Sequence, residues 1–163
     1  MLWLVSKNLS KGVMVLEIPD LMRSNVGRAK NKRLVIISSC IVQDFPDIVK
    51  NFLKDNDYPV KTCPEAEHIN MIGYKIASFI SYSNINEVAV ISVEGSFHCI
   101  QLHYIVEDIR KHFLDFEAKH YVLSKGKLVE VRPETIKISR HLAKLEKILS
   151  SYEKNRLFPF SNP

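Results

Sequence analysis

At 163 residues, 46% of them apolar and 25% charged, the chain has the length of about one domain and an ordinary globular composition. That excludes extended disorder, and no apolar stretch approaches the roughly 20 residues that a membrane-spanning helix requires. The formal charge of +5 is mildly basic, and three cysteines, an odd number, argue against a disulfide framework. A cytoplasmic location is expected.

The opening "MLWLVSKNLSKG" is apolar only at its very start, too briefly for a signal-peptide core, and offers no small-residue cleavage site. "LWLV" and "KGVMVLEIPD" read as short paired strands, the second stopped by Pro19. The run "RSNVGRAKNKR" from Arg23 to Arg33 is a basic loop. Its ordinary role is a solvated surface, and its sharper one a surface for phosphate or nucleic acid. No aromatic residue is interleaved in it, so the loop by itself does not suggest stacking on single-stranded bases. These elements form an N-terminal segment, residues 1–33.

A single domain is expected over residues 34–152. "RLVIISSC" is a continuous β-rich run, the pattern of a strand buried on both faces. In "DFPDIVKNFLKDN", Asp44 suits an N-cap and Pro46 the first helical turn. "YPVKTC" reads as the second strand. The next helix starts near Pro64 and Glu65 and buries Ile69, Ile72, Ile76, Phe79 and Ile80. "NEVAVISV" is the third strand, and "SFHCIQLHYIVEDIRKHF" the third helix, with Ile100, Tyr104, Ile105 and Ile109 as its core positions. "KHYVLSKGKLVEV" is a hairpin turning at Lys125-Gly126. "RPETIKISRHLAKLEKILSSYEKN" reads as one long amphipathic helix, and residues 153–163 as a tail.

Three strand–helix units joined by right-handed crossovers make a Rossmann-like, doubly wound α/β fold. Its sheet is mainly parallel, with three central strands and helices on both faces. The late hairpin extends it, and the N-terminal strand is a further candidate to do so.

In such sheets ligands bind at the carboxyl ends of the strands. Cys40 and Cys63 end the first two strands and Cys99 follows the third, so all three thiols reach one sheet edge. Cys99 and His103, four residues apart, share a helical face. Cys40, Cys63, Cys99 and His103 therefore have the ligand chemistry of a zinc site or an iron–sulfur cluster, although no CxxC is present. Alternatively, Cys99 is a redox or nucleophilic thiol near a helix amino end, with His98, His68 and Glu94 as supporting groups. A third possibility is that the cysteines pack as small hydrophobes. In that version Gly95 and Ser96 offer backbone N–H groups to a small anion, or the basic face takes a macromolecular partner. GxGxxG and GxxxxGK[ST] are absent, which removes dinucleotide and P-loop assignments. His112, His120 and His141 sit among charges and are expected on the surface.

The stretch "VEGSFHCIQLH", with "CPEAEHINMIG" upstream, resembles a motif of small uncharacterised archaeal α/β proteins, some loosely labelled iron–sulfur or ferredoxin-like. The resemblance runs from Leu34 to Leu149 and implies weight on Cys40, Cys63, His98, Cys99 and His103, with no activity attached. The sequence names no reaction. It supports a metal, cluster or redox-thiol site at the strand ends, against a binding or assembly module with structural cysteines and an edge strand able to pair between subunits.

Overall fold

The computed structural model describes residues 5–7 and 14–154 of the chain. The expected tail lies outside the described residues beyond Lys154. Two compact units divide between Val131 and Arg132.

The first unit is built on five strands: β3 (Arg33–Ser38), β4 (Asp57–Thr62), β5 (Glu87–Val93), β6 (Glu117–Ser124) and β7 (Lys127–Val131). They lie in the order β4-β3-β5-β6-β7, the first four mutually parallel and β7 antiparallel to β6. The parallel part thus has four strands where three were expected. The third crossover delivers the first hairpin strand beside β5, as the two before it deliver theirs. The hairpin turns at Lys125 and Gly126, both with positive φ (48° and 76°), which matches the twist of the flanking strands.

The N-terminal strands, β1 (Val5–Lys7) and β2 (Met14–Leu16), form a separate antiparallel pair and do not extend the large sheet. Beyond β2 the chain nevertheless passes along the β4 edge. Lys61 N–H donates to the Pro19 carbonyl at 2.9 Å, and Leu21 N–H to that of Lys61 at 2.7 Å.

Helices cover both faces. On one side are α1 (Ser39–Asp44) and α2 (Pro46–Phe52). They replace the single helix expected to start at Asp44, which is instead the last residue of α1. Pro46 is the cause, because it pushes Phe45 out of helical geometry (φ −133°, ψ 51°) and then opens α2. Ile41, Val42 and Val49 from these helices bury against Val35, Ile37, Ala89 and Ile91. On the other side are α3 (Ile69–Ser83) and α4 (Cys99–His112). Ile72, Ile76, Phe79, Leu102, Val106 and Ile109 pack there on Leu34, Ile36, Val88 and Val90. Helix α3 starts five residues later than the sequence suggests, because Cys63–Glu67 folds as a turn with Ala66 and Glu67 N–H on the Cys63 carbonyl. The buried stripe of α4 is Cys99, Leu102, His103, Val106 and Ile109, rotated from the expected Ile100, Tyr104, Ile105 and Ile109.

Helices α3 and α4 approach closely at Gly73. A Cβ added there would lie 2.6 Å from Ile105 Cγ1. Gly73→Ala is therefore expected to destabilise by about 1–3 kcal/mol, although alanine favours helix by roughly 1 kcal/mol. Denaturant midpoints check this. The double variant with Ile105→Ala should cost less than the sum of the two single changes.

The second unit is a helical pair, α5 (Pro133–Ile138) and α6 (Leu142–Lys154), where one continuous helix was expected. At the break, the Ser139 hydroxyl donates to the Ile136 carbonyl at 2.8 Å and competes with the helical ladder.

Candidate functional site at the strand carboxyl ends

The connections leaving β3 and β5 go to opposite faces of the sheet, to α1 and to α4 respectively. The two strands are neighbours, so their carboxyl ends flank a topological switch point. In open α/β sheets that is where a crevice for ligands opens.

Side chains alternate along each strand, which puts Thr62, Ser38 and Ser92 in one layer under α3 and α4 at these ends. Ser38 pairs with Thr62 in register, and the Ile37–Ile91 pair sets Ser92 beside Ser38. All three hydroxyls are almost fully buried, at 1%, 1% and 2% exposure for Thr62, Ser38 and Ser92. Each has a partner supplied by the chain that covers it. Thr62 donates to the Glu67 carboxylate. Ser38 donates to Cys99 Sγ at 3.3 Å, and Ser92 Oγ lies 2.7 Å from His103 Nε2.

From Ser92 a polar chain runs outward between α4 and β6. His103 Nδ1 is 3.0 Å from His120 Nδ1, and His120 Nε2 is 2.9 Å from Glu107 Oε1. The last carboxylate fixes every proton in it. Glu107 accepts, so His120 carries its proton on Nε2 and accepts on Nδ1. His103 must then donate from Nδ1, and its Nε2 accepts the Ser92 proton. Burial pushes the His103 pKa down to about 3, with the neighbouring His120 adding to the effect. His120 is also lowered by burial, which outweighs its hydrogen bond to Glu107. Burial alone would raise the Glu107 pKa, but hydrogen bonds from Arg110 and His120 bring it below its ordinary value. Both imidazoles are neutral and the chain ends on a carboxylate.

This arrangement corrects one expectation: His120 is not a surface residue; it is 1% exposed. His103 faces Ser92 and His120 with its two ring nitrogens. Sequence reasoning missed Ser92, His120 and Glu107. A signal for His120 was present, since in "EAKHYVL" it alternates with Ala118 on the inner face.

The cysteines differ in exposure and in the elements that carry them. All three are free thiols. Cys40 is the second residue of α1 and exposed, and Cys99 is the first residue of α4 and buried. The Ser38–Cys99 bond joins the ends of β3 and α4, so both thiols stand at the switch point. Burial raises the Cys40 pKa, Cys99 raises it further, and the backbone N–H groups of Ile41 and Cys40 only partly offset this. Cys63 follows β4, on the far side of β3 from β5. Among the described residues, no group of three or more His, Cys, Asp or Glu side chains is placed to hold a metal ion.

The remaining candidates surround this edge. His98 is the N-cap residue of α4, with Nδ1 3.9 Å from Glu65, and His68 is the N-cap residue of α3. Glu94 is exposed and its N–H bonds to the Leu123 carbonyl. Gly95 adopts φ +81° with nothing within 4 Å of an added Cβ. The first amides of α4 are committed within the protein: Cys99 N–H to Ser96 Oγ, Ile100 N–H to the Ser96 carbonyl, and Gln101 N–H to the His98 carbonyl.

A family model described as a Rossmann-like domain matches residues 26–156. No curated protein and no solved structure matches the chain. Among the described residues, no helix is long and apolar enough to cross a membrane.

Proposed function

The chain belongs to the Rossmann-like domain family, and from that premise we propose that it is a cytoplasmic thiol-redox protein with Cys40 and Cys99 as its working pair. The observation that carries this reading is the Ser38–Cys99 hydrogen bond, which seats one thiol at the end of the strand from which the other emerges two residues later. Their different exposure divides the labour. Exposed Cys40 meets the substrate, and buried Cys99 resolves the intermediate, a reversal of the emphasis that the sequence placed on Cys99.

The substrate class is a small disulfide. Cys40 loses its proton to water and its thiolate attacks one sulfur, breaking the S–S bond and releasing a thiolate that takes up a proton. Cys99 loses its proton in turn and attacks Cys40 Sγ in the mixed disulfide, releasing the second thiol. The protein dithiol is oxidised by two electrons and the small disulfide is reduced to two thiols. Because the Cys40 pKa is raised, its thiolate is scarce at neutral pH and the first step accelerates as the pH rises.

Incubation with oxidised glutathione followed by peptide mapping tests the pair. A Cys40–Cys99 cross-link with loss of two hydrogens is the expected product. A stable glutathione adduct on Cys40 without a cross-link, or a link through Cys63, overturns the assignment. The Cys99→Ser variant gives a second reading. It removes a group that raises the Cys40 pKa, so alkylation of Cys40 at fixed pH should become severalfold faster. An unchanged rate would mean that the two thiols do not sense each other.

A further inference from the structure

We infer that the basic loop and the outer face of α3 form a binding surface for single-stranded nucleic acid. The loop has no aromatic residue of its own, but the fold supplies them. Tyr74 and Tyr82 lie along α3 with Ser78 between them, at four-residue spacing on one face, and are 74% and 75% exposed. A groove of about 430 Å³ opens between this helix and the loop, lined by Ser24, Asn25 and Gly27 on one wall and Lys75, Ser78 and Tyr82 on the other.

Its charge has one sign. Residues 21–33 and 69–83 contain Arg23, Arg28, Lys30, Lys32, Arg33 and Lys75 and no aspartate or glutamate. Arg33 is engaged by Asp57 and Glu87, and Lys32 and Lys75 lie over the Tyr58 and Phe79 rings. Arg23, Arg28 and Lys30 are exposed and give three cations beside two open rings.

The surface is also preorganised. Buried Leu21 and Ala29 anchor the loop in the core. Ser83 Oγ donates to the Val26 carbonyl at 2.5 Å, Asn31 N–H to the Ser83 carbonyl at 2.9 Å, and Asn25 Oδ1 accepts from Gly27 N–H at 2.9 Å. A clamped loop loses little freedom on binding. Cations contact phosphates, whereas an exposed ring offers stacking only to a base that is not already stacked. Rings and cations together therefore favour a single strand over a duplex. This surface is separate from the thiol pair, and its occupancy does not depend on them.

Fluorescence anisotropy of the full chain with a labelled oligothymidine, and with a duplex of equal length, tests it. The single strand should bind more tightly than the duplex. With three cations engaged, its affinity should drop roughly 20-fold between about 50 and about 200 mM salt. Tyr82→Ala with Tyr74→Ala should weaken the single strand by about tenfold or more and the duplex much less. Arg28→Glu with Lys30→Glu should weaken both, while Lys111→Glu on α4 should leave them unchanged. All of these side chains are exposed, and circular dichroism verifies that each variant folds. Equal affinity for strand and duplex, indifference to the tyrosines, or equally tight binding of polyglutamate would overturn the inference, as would no binding at low salt.

Discussion

Acidification to about pH 4 should remove about 3 kcal/mol of stability through His103 alone, because its pKa falls from 6.5 in the unfolded chain to about 3 in the folded one. The folded state disfavours the proton, so the unfolded chain binds more protons between these two values and stability rises with pH. The contribution is complete above pH 6.5 and is lost as the pH falls toward 3. His120 is lowered in the same direction and adds to the slope. Structurally, a proton on His103 Nε2 would turn Ser92 Oγ from donor to acceptor and leave its buried hydroxyl hydrogen without the acceptor it has now, and a proton on His120 Nδ1 would oppose that of His103. Urea midpoints at several pH values measure the effect, and the ring resonances of His103 should stay fixed from pH 8 to 6. Level stability from pH 7 to 5 would mean that one ring is already charged in the folded protein.

Removing the Asp57 carboxylate is the second large effect. Asp57 is 1% exposed and accepts from Arg33 Nε at 2.7 Å, from the Arg33 terminal nitrogen at 2.6 Å and from Lys54 N–H at 2.8 Å. The Arg33 side chain is itself only 10% exposed, and its other ion pair, to Glu87, is longer at 3.4 Å. Asp57→Ala would strand a nearly buried guanidinium at the start of the two parallel strands. A loss of about 3–5 kcal/mol is expected from such a broken pair. Replacing both partners with apolar residues, Arg33→Met with Asp57→Leu, should cost clearly less than Asp57→Ala alone. Chemical denaturation of the three proteins decides this, and equal losses for single and double variants would show that the pair is not what holds the strands.

The buried strands were legible because they needed no partner to be recognised: "LVII" and "VAVI" are apolar throughout, the mark of a strand covered on both faces. The α3 stripe was legible for a related reason, since Ile72, Ile76, Phe79 and Ile80 recur at helical spacing. On α4 the phase was lost because its buried face includes His103. A histidine is acceptable in a core only when distant residues satisfy both nitrogens, and here they sit on β5 and β6. Nothing local announces that. The shared edge of the thiols was legible from the parallel topology, but their grouping was not. It depends on which strand each follows and on the hydrogen bond by which Ser38 holds Cys99, a contact between residues 61 apart in sequence.

The way the chain passes along β4 has a consequence for self-association. Lys61 spends its outward N–H on the Pro19 carbonyl, Asp57 gives its own to the Lys54 carbonyl, and the residue between them on that side is Pro59, which has no N–H. The outward donors of β4 are thus used up or missing along its whole length, and this border is no template for a further strand. Among the described residues the opposite border of this sheet, in the order β4-β3-β5-β6-β7, is β7, and the donors that β4 withholds are not matched by any such closure there.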